Sequence, residues 1–254
     1  MKEILNKIAL EAGAAILKVY AQDFNIVMKE DKSPVTDADH AANDIILAGL
    51  AKHFPDITVI SEENIETHDH SGNLPAKFFI IDPLDGTKEF IKKNGEFTVN
   101  IGYIENGYPA WGVVYVPVTN TLYCGGKELG TEKNNQKISV NLKLNNVLKV
   151  VGSRTHLNRE TEEFLEKWDR EYEFHGVGSS VKFCMVAEGS ADVYPRIGPI
   201  KEWDTAAAQA VVEGAGGLVV DAFSFERLSY GKKSLLSPSF VCISSLEVLG
   251  NLGP

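Results

Sequence analysis

The stretch from Ile80 to Phe90, I-I-D-P-L-D-G-T-K-E-F, constrains this chain more than any other. β-Forming residues from Lys77 to Ile81 predict a strand running into it. Two aspartates then follow three residues apart, with Pro83 between them and Gly86-Thr87 behind. Proline cannot donate to a sheet ladder and glycine permits a positive φ, so the spacing predicts a strand that ends at Asp82 and a turn that holds Asp85. Asp82, Asp85, the Leu84 carbonyl and the Thr87 hydroxyl would then converge on one small volume. Oxygen ligands of this kind suit a hard divalent cation, Mg2+ in particular, which is usually held by one or two carboxylates together with substrate phosphate and water. An Asx-turn with solvated aspartates is the plainer alternative, and the rest of the chain decides between them.

With 254 residues, 44% of them hydrophobic, the chain is long enough for one large domain or two closely joined halves with real cores. A polar stretch, Lys127 to Asn146, divides it into an expected 1–146 half that carries most of the acidic candidates and a 147–254 half, together one compact unit. A formal charge of -10 argues against a nucleic-acid polymer as partner, which would need a basic stripe. The three cysteines, Cys124, Cys184 and Cys242, lie far apart without C-x-x-C spacing, which suits a reducing compartment and disfavours zinc or disulfides. The charged residues of Met1 to Tyr20 make that segment neither a signal peptide nor a membrane span. A cytoplasmic protein is expected, with peripheral contact with an inner membrane and the oligomeric state left open.

Apolar residues from Ile4 to Val19 recur at helical spacing and predict an amphipathic helix. After the polar segment Lys29 to His40, Thr36 or Asp37 is expected to cap a second helix running to about His53, with Asp39 in its first turn. The short run Asp56 to Ser61 is expected to be a strand that ends in Glu62-Glu63. Two strands would thus deliver acidic residues to one sheet edge, where ligands of open α/β sheets collect. His68, Asp69 and His70 read as a surface excursion. Strands are expected over Phe97 to Glu105 and Tyr108 to Val116, joined at Asn106-Gly107, and over Thr121 to Cys124.

The second half opens with a strand, Val147 to Val151, and a turn that carries Arg154 and His156. A helix from about Asn158 to Asp169 follows. The Gly/Ser-rich turn before a helix starting near Ser179 would offer unpaired N–H groups to an anion. Lys182 lies one turn inside that helix, and Arg154, Arg196 and Lys201 flank it, so this region is a candidate second phosphate site. In the stretch Lys201 to Gly217, Asp204 stands at the start of a helix made almost wholly of small residues, closed by Gly214 and Gly216-Gly217 and able to approach another backbone closely. Strands Gly217 to Asp221 and Phe240 to Ser244 complete the core.

Four separated elements resemble the inositol monophosphatase superfamily of Mg2+-dependent, lithium-sensitive phosphatases: S-P-V-T-D-A-D at Ser33 to Asp39, S-E-E at Ser61 to Glu63, D-P-L-D-G-T at Asp82 to Thr87 and E-W-D-T-A-A at Glu202 to Ala207. Within it, D-P-L-D-G-T-K-E-F-I-K-K-N-G-E-F-T-V-N-I and S-S-V-K-F-C-M-V-A-E-G are similar to the bacterial 3′(2′),5′-bisphosphate nucleotidases. The resemblance implies a layered α-β-α-β-α fold of the α/β (α+β) class. It implies two Mg2+ ions, one held by Glu62, Asp82 and the Leu84 carbonyl and one by Asp82, Asp85 and Asp204, with a third through Glu62 and water. Thr87 and Asp39 match the positions that orient and deprotonate the attacking water, and Gly86 and Thr87 those that contact the scissile phosphate. The implied activity is removal of the 3′-phosphate of 3′-phosphoadenosine 5′-phosphate, in sulfur assimilation or nucleotide recycling, with Ser179, Lys182 and Arg196 at the second phosphate. Two alternatives stay open: an inositol or other small sugar-phosphate phosphatase, and a metal-dependent nucleotide-binding sensor whose catalysis has lapsed.

Overall fold

The computed structural model describes residues 1–28, 34–67, 74–143, 145–154 and 158–253. Helix α1 (Lys2–Tyr20) buries Leu5, Ile8, Ala9, Ala12 and Ile16 along one stripe, as its apolar spacing requires. A hairpin, β1 (Ile26–Met28) and β2 (Pro34–Thr36), leads into α2 (Asp37–His53). Thr36 caps α2 in a capping box, its hydroxyl accepting from the Ala38 N–H while Asp39 accepts from the Thr36 N–H.

Seven strands then form the first sheet in sequence order: β3 (Thr58–Ser61), β4 (Lys77–Asp85), β5 (Thr98–Glu105), β6 (Tyr108–Val116), β7 (Thr121–Gly126), β8 (Gly130–Lys133) and β9 (Gln136–Ile138). Only β3 and β4 pair in parallel. The short helix α3 (Thr87–Ile91) lies between β4 and β5. The polar stretch after Lys127 is therefore largely a hairpin, β8–β9, that widens this sheet. Side chains alternate across β4: Phe79 and Ile81 pack with α1 and α2, whereas Phe78 and Ile80 face the other way. Burial on both faces explains why β4 reads as an unbroken apolar run.

The second half supplies β10 (Val147–Ser153), α4 (Arg159–Glu166), β11 (Glu171–Val177), α5 (Val181–Ala187), β12 (Val193–Arg196), a two-residue β13 (Ile200–Lys201), α6 (Ala206–Gly214), β14 (Leu218–Asp221), β15 (Leu236–Ser237) and β16 (Phe240–Ile243). Five of these strands form a second sheet in the order β11-β10-β12-β16-β14. Its inner residues Tyr194, Phe240 and Cys242 share a core with α5, α6 and the first sheet. Its outer residues Val193, Val241 and Ile243 pack with Leu165 of α4 and with Val248 and Leu249 of the closing 3-10 turn. Helices, sheet, helices, sheet and helices thus stack in five layers, the α/β architecture the resemblance implied.

The small residues of α6 do what their size permits. A Cβ at Gly112 would lie 2.0 Å from the Ala207 carbonyl oxygen and one at Gly102 3.0 Å from the Ala207 nitrogen, so helix backbone rests on strand backbone. That contact carries Asp204, just before α6, to the end of β4. Among the described residues no helix is long and apolar enough to cross a membrane.

Candidate metal-dependent active site

The acidic cluster forms because of strand register. β3 and β4 run parallel with Ser61 opposite Ile81, so Glu62 and Asp82, the next residue of each chain, emerge at the same edge. β4 does not stop at Asp82, as expected from Pro83; it runs on through Asp85. Asp82 pairs with Asn100 and Asp85 with Thr98, so Pro83 and Leu84 stand opposite Val99 alone. Proline's missing N–H is absorbed in a β-bulge, which re-aims the two aspartates without ending the strand. The Leu84 N–H donates to Asp82 Oδ1 at 3.0 Å and closes the bulge. Gly86 follows with φ 95°, a conformation that favours glycine; a Cβ there would also meet the Glu96 carbonyl oxygen at 3.0 Å.

Glu62, Asp82 and Asp204 each present a carboxylate oxygen within 4.8 Å of the others. Burial, then the charges of Glu62, Asp85 and Asp204, push the Asp82 carboxyl well above the usual range. Burial, then Asp85 and Glu62, do the same to Asp204. A carboxylate oxygen of Asp82 lies within 4.8 Å of one of Asp204. Buried carboxylates this close repel, and a shared proton or cation relieves that repulsion. An all-oxygen donor set of three carboxylates is what a hard divalent cation fits, so these residues suit Mg2+. Asp85 is held apart from this trio: its Oδ2 accepts from the Ser180 N–H at 2.6 Å and the Ser180 hydroxyl at 2.7 Å.

Asp39 reaches the same place from the first turn of α2. Thr36 donates to its Oδ2 through the N–H at 2.8 Å and the hydroxyl at 2.6 Å, which aims Oδ1 at Thr87. The Thr87 hydroxyl lies 3.3 Å from Asp39 Oδ1 and 3.4 Å from the Leu84 carbonyl.

On the other side, Ser179, Lys182 and Arg196 line one cavity of about 110 Å³ with Asp85, Gly86 and Asp204. Lys182 is buried; its Nζ donates to the carbonyls of Ser179 at 2.6 Å and Val177 at 3.3 Å and lies over the Tyr194 ring. Burial pushes its ammonium down to about 8 against the upward pull of Asp85 and Glu89, and Arg196 adds to the lowering. The buried Arg196 Nε has no hydrogen-bond partner, an orphan donor beside the acidic cluster. A larger cavity of about 510 Å³ lies by Met1, Lys2 and Trp111, without convergent acids, so chemistry and not volume locates the site.

Several expected features sit differently. Helix α5 starts at Val181, and the N–H groups of the turn before it are already committed, Gly178 to Glu96 and Ser180 to Asp85. Arg154 forms a two-pronged pair with Glu96, and Lys201 lies over the Trp203 ring. Ser33, His68, Asp69, His70 and His156 lie outside the described residues. Sequence reasoning missed Asn100, Thr98 and Glu96. Only the β5 register on β4, with Asn100 facing Asp82 and Thr98 facing Asp85, could have pointed to the first two.

The model of the inositol monophosphatase family matches residues 1–246. The 3′(2′),5′-bisphosphate nucleotidase CysQ of Escherichia coli O157:H7 is 44% identical over 246 residues, 92% of this chain and 96% of that protein. CysQ from Bacteroides thetaiotaomicron, described as a bacterial member of the inositol monophosphatase family, superposes with a TM-score of 0.82 at 37% identity, covering 94% of this chain and 95% of that one. An IMPase from Thermotoga maritima superposes with a TM-score of 0.80 at 26% identity, covering 98% and 96%. With its motifs, its five layers and its acidic cluster all in that pattern, this chain belongs to the inositol monophosphatase family.

Proposed function

We propose that this chain is a Mg2+-dependent 3′(2′),5′-bisphosphate nucleotidase that removes the 3′-phosphate of 3′-phosphoadenosine 5′-phosphate to give AMP and phosphate. The observation that carries this is a juxtaposition: an acidic trio within 4.8 Å whose Asp204 lines the same cavity as Lys182 and Arg196, the latter with an unpartnered Nε. A substrate with two phosphates needs both features, one at the bond to be broken and one for the phosphate that stays. The kinship with bisphosphate nucleotidases supports the same substrate class.

Glu62, Asp82, Asp204 and the Leu84 carbonyl would hold the first two cations, with Asp85 contributing to the second and Glu62 to a third through water. Bound there, such cations supply neutralisation of the phosphoryl charge and acidification of water. The protein's own part is positioning. Gly86 and Thr87 open α3, where backbone N–H groups have no intrahelical acceptor and can donate to the scissile phosphate. The attacking water donates to Thr87 Oγ1 as Thr87 passes its own proton to Asp39 Oδ1. The water oxygen forms the new P–O bond, the P–O3′ bond breaks, and the ribose O3′ takes up a proton from solvent. Ser179, Lys182 and Arg196 hold the 5′-phosphate, fixing the distance from that anchor to the reacting phosphorus.

The test is phosphate release from 3′-phosphoadenosine 5′-phosphate with and without Mg2+, beside inositol 1-phosphate and fructose 1,6-bisphosphate, for wild type and Asp85→Asn. Mg2+-dependent release that prefers the bisphosphate nucleotide and collapses in the variant is expected. Preference for inositol 1-phosphate would move the substrate to the sugar phosphates; nucleotide binding with no release from either protein would make the chain a sensor.

A further inference from the structure

We propose that Glu96 is a positioning residue for the wall that holds the substrate's second phosphate: gripped by Arg154, its carboxylate fixes the turn 176–180 through the Gly178 N–H. This rests on the nucleotidase function proposed above.

Glu96 stands in the loop between α3 and β5, on the first sheet's side of the cavity. Its Oε2 accepts from the Gly178 N–H at 2.8 Å and from Arg154 Nε at 3.1 Å, and its Oε1 accepts from Arg154 Nη2 at 2.5 Å. A guanidinium fork on a carboxylate sets both oxygens in one plane, so Arg154 decides where Glu96 points. The backbone of Glu96 is wedged as tightly as its side chain is tied. A Cβ at Gly178 would lie 2.8 Å from the Glu96 carbonyl oxygen, and one at Gly86 3.0 Å from the same atom. One residue therefore spaces the Asp85-Gly86 turn from the turn that carries Ser179.

That second turn needs holding. Ser179 adopts φ 45°, in the left-handed region, which a residue with a Cβ keeps only where its neighbours impose it. The neighbours are few. Glu96 takes the Gly178 N–H, Asp85 takes the Ser180 N–H at 2.6 Å, and Lys182 Nζ returns to the carbonyls of Val177 and Ser179. Without Glu96 the turn is still anchored by the β10 ladder up to Val177 and by Asp85 at Ser180, but Gly178 between those anchors loses its acceptor, and the buried Lys182 loses the geometry of the carbonyls it leans on. Arg154, its side chain 53% exposed, balances the charge that Glu96 would otherwise direct at an incoming phosphate.

The test compares kcat/KM for 3′-phosphoadenosine 5′-phosphate and for 3′-AMP, which share the scissile phosphate but differ in the second one. Glu96→Ala should lower the ratio of the two about tenfold through KM for the bisphosphate, with kcat for 3′-AMP within about twofold. Glu96→Gln, whose amide oxygen still accepts from Gly178, should keep most of the ratio. Arg154→Ala added to Glu96→Ala should cost nothing further, because both act through one contact. Should Glu96→Ala fail to fold, Glu96→Asp, too short to reach both partners, replaces it with the same expected shift. The proposal is overturned if the ratio is unchanged, if both substrates fall by one factor, if the Gln variant is as impaired as the Ala variant, or if Arg154→Ala adds its full effect. A wild type that turns over neither substrate refutes the nucleotidase function instead, and Glu96 falls with it.

Discussion

The acidic wall, Glu62, Asp82 and Asp204, opens on the cavity through Asp204, and the basic wall, Lys182 and Arg196, lines the same cavity, but the two are built differently. On the acidic side burial and mutual repulsion raise Asp82 and Asp204 together. On the basic side the Lys182 donors are satisfied from within, its ammonium resting on two carbonyls and an aromatic ring, while the buried Arg196 Nε has no partner. The first wall sets buried carboxyls against one another; in the second, the Lys182 donors are already bonded within the chain and a phosphate must compete for them. The acidic wall should therefore govern whether the reaction occurs at all, and the basic wall which substrate is preferred.

The largest effect should come from the acidic wall. Asp82→Asn or Asp204→Asn is expected to cut phosphate release on the order of 10³-fold. The same change should stabilise the chelated protein, raising Tm by about 2–4 °C for each kcal/mol of relieved repulsion. The sign follows from linkage. A carboxyl whose folded pKa is raised binds its proton more tightly in the folded state, so its stability contribution is fully present below the ordinary value and lost as pH rises through the raised one. The variant's Tm advantage in chelator should thus be greatest at alkaline pH and shrink on acidification toward about 4. An advantage that grows on acidification would mean the two carboxylates do not repel.

Next comes the water-activating pair. Thr87→Val or Asp39→Asn should lower kcat by about 10² to 10⁴ with little change in KM, whereas Thr87→Ser, which keeps the hydroxyl, should stay close to wild type. Equal losses in the Val and Ser variants would assign Thr87 to packing.

The basic wall should respond in KM. Lys182→Gln is expected to raise KM for the bisphosphate by about 10- to 100-fold while leaving inositol 1-phosphate nearly unchanged. With its pKa lowered to about 8, Lys182 loses charge as pH rises past that value, so wild-type KM for the bisphosphate should climb above about pH 8 and the variant's should not. A rise of the same slope in both would place the titrating group elsewhere.

The smallest effect on catalysis should come from the scaffold between the walls. Gly112→Ala drives a methyl into the Ala207 carbonyl oxygen, 2.0 Å from the ideal Cβ, and should cost about 1–3 kcal/mol in denaturant unfolding. Because α6 follows Asp204, apparent Mg2+ affinity should weaken with it. Weakened stability at unchanged Mg2+ affinity would uncouple the helix seat from the acidic wall.

What the sequence disclosed and what it hid have separate physical causes. Asp82, Asp85, Gly86 and Thr87 were legible because proline and glycine constrain φ locally and the acids lie within one turn. The cap at Thr36, the helix over 37–53 and the small-residue face of α6 were legible for the same local reason. The continuation of β4 through Asp85 was not, since a bulge is defined by its partner strand and Val99 carries no sign of standing opposite two residues. Ser180 meets Asp85 across 95 positions and Glu96 meets Gly178 across 82, and no periodicity in either segment announces such a partner. Arg154 read as a free cation because its counter-ion lies 58 residues upstream. Local stiffness writes itself into sequence; pairing between distant turns does not.

The most direct test of the central claim, that carboxylates from three separate chain segments hold divalent cations together, is a calorimetric Mg2+ titration of wild type and Asp204→Asn. It should be run near pH 6 in two buffers of different ionisation enthalpy. Because burial and mutual repulsion push the Asp82 and Asp204 carboxyls upward and a bound cation pulls them down, binding to wild type should release protons, visible as a heat that depends on the buffer, and the variant should bind far more weakly with that release diminished. Binding of equal strength in both proteins, with heats independent of the buffer, would contradict it.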